Sequence, residues 1–97
     1  MSKTLSTHLR SSLVWQVIRR ERSYQDRKYG TIEERNLPLD DYIAILWTEL
    51  GEASVSFTEG DYDNARCELL QVAAVAVAAL EAHGLIERPE NKELPRA

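Results

Sequence analysis

The stretch that decides the fold is Leu69-Leu70-Gln71-Val72-Ala73-Ala74-Val75-Ala76-Val77-Ala78-Ala79-Leu80, twelve residues without a single charge. From Val72 to Leu80 every side chain is Ala, Val or Leu. A helix that is apolar on all sides has no face to give to water and belongs inside a bundle. Its alanines let neighbouring backbones come close. Working outward, Asp61 is an N-cap for this helix and Gly84 its stop, which predicts a helix over about 62–83.

Before it, Leu39, Tyr42, Ile43, Leu46, Trp47 and Leu50 recur at i, i+3, i+4 spacing, so a second helix starts near Pro38 to Asp41 and ends by Gly60. Proline suits its first turn, and Asp40 or Asp41 is the expected cap. The connection at Gly60 is so short that the two helices form an antiparallel hairpin. Leu9, Leu13, Val14, Trp15, Val17 and Ile18 mark a first helix over about 6–28, closed by Gly30. Residues 29–37 carry no period and read as a loop. No strand is required. The expected architecture is all-α: three main helices over 1–86, a single domain, followed by a loosely ordered tail over 87–97 with Pro89 and Pro95.

A chain of 97 residues makes one small domain, and three helices hardly cover the bare third one. Completion of the bundle by a homo-oligomer, dimer or tetramer, is therefore expected. Trp15 and Trp47 are read as core or interface residues, and Cys67 as a packing residue. With one cysteine there is no internal disulfide, and the N-terminus lacks an apolar signal-like run, so a cytoplasmic location is expected. The apolar run is too short for a membrane span. Twelve basic against sixteen acidic residues, net −4, argue against binding polymeric nucleic acid. One locally held phosphate group remains compatible with that balance.

The chemistry-bearing residues are two four-residue blocks, Glu49-Leu50-Gly51-Glu52 and Glu68-Leu69-Leu70-Gln71. Glu52 stands eight residues before Gly60 and Glu68 eight after it; Glu49 and Gln71 are each eleven away. At a rise of about 1.5 Å per residue, each pair comes level across the hairpin. Oxygen donors of this kind suit Mg²⁺, with Mn²⁺ as a substitute, and the lack of a Cys/His cluster argues against zinc. Arg27 and Lys28 are candidate phosphate contacts, and Tyr29, beside Gly30, is a candidate for stacking on a base. No glycine-rich phosphate loop of the Walker type is present.

These blocks, with Leu46-Trp47-Thr48 and Ala53 flanking the first, resemble the MazG-like all-α nucleoside triphosphate pyrophosphohydrolases. Their mark is ExxE on one helix and ExxD on the next. Upstream, Glu21-Arg22 and Gln25-Asp26-Arg27-Lys28-Tyr29-Gly30 resemble a segment that many members carry before the first ligand helix. The likeness covers about residues 13–83. It implies a four-helix-bundle core assembled from dimers or tetramers, and Mg²⁺-dependent cleavage of a surplus or non-standard (d)NTP to the monophosphate and pyrophosphate. Carried over by position, Glu49, Glu52 and Glu68 hold the metal and are the catalytic set. Gln71 takes the place of the usual aspartate, and Lys28 lies near the nucleotide. Thr48 stands where many members have another Glu. The uncharged Gln71 weakens the metal site and keeps a second expectation alive: a catalytically silent helical module that binds nucleotide or a protein partner.

Overall fold

The computed structural model describes residues 6–90, and among them there are four helices and no strand. Helix α1 spans Thr7–Tyr29, α2 Ile32–Arg35, α3 Leu39–Thr58 and α4 Tyr62–His83. Ser6 caps α1 by accepting a hydrogen bond from the Leu9 N–H at 3.1 Å, and Arg27 and Lys28 occupy its last turn, where the helix dipole favours cations. Gly30 ends it at φ 98°, a backbone angle at which any Cβ is strained.

The expected loop 29–37 contains the one-turn helix α2. Thr31 and Glu34 form a reciprocal capping box: the Glu34 N–H donates to Thr31 Oγ1, and the Thr31 N–H donates to Glu34 Oε1. Those bonds hold the Glu34 carboxyl below the usual range, the backbone bond from Thr31 contributing most. Asn36 closes the turn in the left-handed region at φ 48°. A four-residue helix has no apolar period to reveal it. The Thr-x-x-Glu signature was the available signal.

Helix α3 begins without a side-chain cap. Pro38 is its N-cap residue, and Asp40 and Asp41 lie inside the first turn, where their charges face the dipole instead of capping the N–H groups. At the other end the chain turns at Gly60, φ 82°, and Asp61 caps α4 by accepting from the Asn64 N–H. Asn64 also donates through its side chain to Ser56 Oγ at 2.7 Å, which ties the two sides of the turn together. The α3–α4 hairpin is therefore as the spacing predicts.

Helix α4 is the element that the others touch: α3 lies along it, and α1 and α2 pack on it. Arg22 on α1 is the main polar clamp. Its guanidinium pairs with Asp26 at 2.9 Å and with Glu81 of α4 at 2.8 Å while only 12% of the side chain is exposed. The Arg22 pKa is shifted upward; desolvation opposes the shift, and the hydrogen bonds to Glu81 and Asp26 outweigh it. Around Tyr42, Val75, Ala78 and Ala79 the chain forms a small core with Ile32, Leu37, Ile45 and Leu46 against it.

One chain leaves part of α4 uncovered, in line with the expectation that three helices hardly cover it. Ala74, Val75, Ala78 and Ala79 are buried, Val72, Ala73, Ala76 and Val77 are half-buried, and Leu69 and Leu80 are exposed. Trp15 and Trp47 are not in this core; Trp47 is 75% exposed. Cys67 is exposed too, since α4 turns that position away from its neighbours. The radius of gyration is 15.5 Å, against about 12.5 Å for a compact domain of this length. No described helix is long and apolar enough to cross a membrane. The tail expected over 87–97 lies, from residue 91 onward, outside the described residues.

Candidate metal centre

Glu49 and Glu52 project from one face of α3 because they sit one helical turn apart, and Glu68 and Gln71 do so on α4. Glu49, Glu52 and Gln71 line a cleft of about 410 Å³ together with Tyr29, Ala44, Ile45 and Thr48. Glu52 and Glu68 line an adjoining one, of about 570 Å³, with Thr48, Ser56 and Asn64. Glu52 and Thr48 belong to both, so the four oxygen-bearing residues border one continuous depression. Thr48 donates its hydroxyl to Ala44 O at 3.1 Å.

The electrostatics are those of crowded like charges. Burial pushes the Glu49 carboxyl up, and the charges of Glu68, Glu52 and Glu21 push it further. Burial likewise raises Glu68, followed by the charge of Glu52 and a side-chain hydrogen bond with Glu52 that favours the protonated form. That bond puts residues 52 and 68 level across the hairpin, as the count from Gly60 predicts. Glu49 Oε2 and Glu68 Oε2 are both buried with no hydrogen-bond partner.

Convergence is incomplete. Among the described residues, no three His, Cys, Asp or Glu side chains are gathered tightly enough to close around an ion. Like-charge repulsion accounts for this. Two ionised carboxylates about 4 Å apart repel by roughly 4 kcal/mol at an effective dielectric near 20.

The residues expected at the nucleotide divide. Tyr29 lines the cleft. Lys28 Nζ sits over the Tyr24 and Tyr29 rings, 5.6 and 5.2 Å from their centroids. Its pKa is raised by hydrogen bonding to Tyr24 first and to Tyr29 second. Arg27 is exposed in the last turn of α1 and lines neither cleft.

Three further residues stand near the site, to which the sequence assigned no role there. Glu21, on α1, is close enough for its charge to act on Glu49. Gln25, also on α1, is buried, and Tyr42 on α3 is 1% exposed with an unpartnered hydroxyl. Tyr42 sat in the apolar stripe of α3, which hid its polar end. Glu21 and Gln25 are four apart, on one helical face, and belong to the upstream segment whose likeness to the family was the signal they gave. No family model, no curated protein and no solved structure matches this chain.

Proposed function

We propose that the protein is a Mg²⁺-dependent nucleoside triphosphate pyrophosphohydrolase that works as a homo-oligomer. The observation that carries this reading is the pair of buried, unpartnered oxygens, Glu49 Oε2 and Glu68 Oε2, flanking the Glu52 carboxylate. A carboxylate oxygen buried without a partner is unfavourable, and a divalent cation between the two helices would relieve both its desolvation and the repulsion. The donors are all oxygen, three carboxylates and the Gln71 amide, which suits Mg²⁺ or Mn²⁺ in charge and in kind. Bound there, the ion supplies an acidified water and neutralises phosphate charge.

The chain's own residues do the rest. Glu49, Glu52 and Glu68 would hold the ion, and Gln71 would add a neutral oxygen. One of the three carboxylates, whichever is left free of the ion, is the group placed to take the proton of the attacking water. The water oxygen bonds to the α-phosphorus, the α–β phosphoanhydride breaks, and pyrophosphate leaves. Lys28 and Arg27 supply positive charge at the end of α1, and Tyr29 joins that end to the cleft.

Oligomerisation rests on exposed apolar surface. Leu39, Ile43, Trp47 and Leu50 form a solvent-facing row on α3, and Leu69 and Leu80 stand bare on α4. The chain exposes 7774 Å², on the order of 2,000 Å² more than a compact monomer of this length. Obligate dimers bury about 1,000–2,500 Å² per partner. A second copy on this row completes a four-helix bundle.

The rival reading is a silent helical module that binds nucleotide or a protein partner. Neutral Gln71 and the open carboxylate set favour it. The test is incubation with a panel of NTPs and dNTPs in Mg²⁺ or Mn²⁺, with pyrophosphate quantified. Turnover lost in Glu52→Gln supports the enzyme. Saturable nucleotide binding without turnover of any nucleotide refutes it in favour of the silent module.

A further inference from the structure

A cavity of about 200 Å³ lies where the four helices meet, next to the carboxylate cleft. Its floor is aliphatic, with Ile45, Val75 and Ala78 among the lining residues. Its polar lining is Gln25, Tyr42 and Glu49, with the Arg22–Asp26 ion pair and Arg35 beside them. Tyr42 is buried to within 1% and its hydroxyl has no partner, although the ring is held in place edge-on to His83 at 5.9 Å. A phenylalanine fills the same space without an unmade hydrogen bond. The hydroxyl is therefore satisfied by water or by a polar group of a molecule that enters the cavity.

The dimensions say what enters. Pockets that take whole drug-sized ligands run to about 300–1,000 Å³, so this one takes a single ring system and not an entire nucleotide. Tyr29, Ile45 and Glu49 line both the cavity and the cleft, so one molecule can reach from one into the other. An apolar floor with a few polar groups on the walls suits a flat heterocycle whose edge carries donors and acceptors.

We propose that this cavity receives the nucleobase of a nucleotide whose phosphates lie in the carboxylate cleft, with the Tyr42 hydroxyl and the Gln25 amide bonding to the edge of the base. The proposal rests on the nucleotide reading above and specifies where that substrate's base is read.

The test uses the full chain in Mg²⁺ and two probes: the best-bound member of an NTP and dNTP panel, and inorganic tripolyphosphate, which has no base. Calorimetry is run on wild type, Tyr42→Phe and the cavity-filling Ala78→Leu. Tyr42→Phe weakens the nucleotide about tenfold, the loss of one neutral hydrogen bond. Ala78→Leu weakens it more, and tripolyphosphate binding is unchanged in both. Unchanged nucleotide affinity in either folded variant overturns the base pocket and leaves the metal–phosphate reading standing. Failure of tripolyphosphate to bind wild type in Mg²⁺ overturns the metal–phosphate reading instead, whatever the variants do to the nucleotide.

Discussion

Gln71→Asp tests the metal centre most directly. Gln71 lines the cleft beside Glu49 and Glu52 and is one turn along α4 from Glu68. A new unit charge about 4 Å from a divalent ion is worth roughly 8 kcal/mol of attraction at an effective dielectric near 20. Repulsion from the Glu49 and Glu52 carboxylates is felt with and without the ion, so it lowers the stability of the metal-free variant and does not enter the affinity for Mg²⁺. Gln71 is only half-buried and its neighbours meet solvent, so desolvation and screening bring the net gain to about 1–2 kcal/mol. The expected outcome is a five- to thirtyfold tighter Mg²⁺ titration by calorimetry at low salt. The same change adds a like charge to the metal-free cluster, so the variant melts lower without Mg²⁺ and recovers when Mg²⁺ is added. A nucleotide brings its own negative charge, so affinity for Mg²⁺ in the presence of nucleotide rises less. An unchanged Mg²⁺ titration in a folded variant refutes the assignment of residue 71 to the ion.

The raised carboxyls of Glu49 and Glu68 mean that the metal-free folded state holds more protons than the unfolded one. Their contribution is full below the ordinary carboxylate range and is lost as pH rises through the raised values. Glu49→Gln, which carries no such charge, gains melting temperature over metal-free wild type as pH goes from about 4 to about 7. A difference that does not vary with pH contradicts this, and Mg²⁺ affinity of wild type falls over the same range as pH drops. Arg22→Met leaves Glu81 and Asp26, both partly exposed, without their cation; a loss of about 1–2 kcal/mol in chemical denaturation is expected. A loss below about 0.3 kcal/mol shows that the α1–α4 clamp is not a stabilising contact. Trp47→Lys puts a charge in the exposed row of α3. Light scattering on wild type is expected to give an oligomer that this variant shifts toward monomer, and a wild-type monomer at all concentrations refutes the interface.

The existence and limits of the three long helices were legible because each has a periodic or continuous apolar pattern closed by a cap, Ser6, Asp61, or a glycine, Gly30, Gly60, Gly84. The pairing of residue 52 with residue 68 was legible too, since a tight hairpin converts a count along the chain into a height along two helices. The central position of α4 followed from its composition.

Tertiary structure alone decided three things. The bare faces of α4 and the row at Ile43, Trp47 and Leu50 stay open in one chain, because α1 and α3 cover only part of α4. The carboxylates share a depression without closing on a point, since like charges repel and spacing carries no information about side-chain approach. The fate of the Tyr42 hydroxyl depends on what α1 and α2 bring over it, long-range packing that a stripe on α3 does not encode. Local pattern fixes helices and the register of neighbours along a hairpin; which polar atoms end up buried without partners is set by surfaces that meet only when the chain is folded.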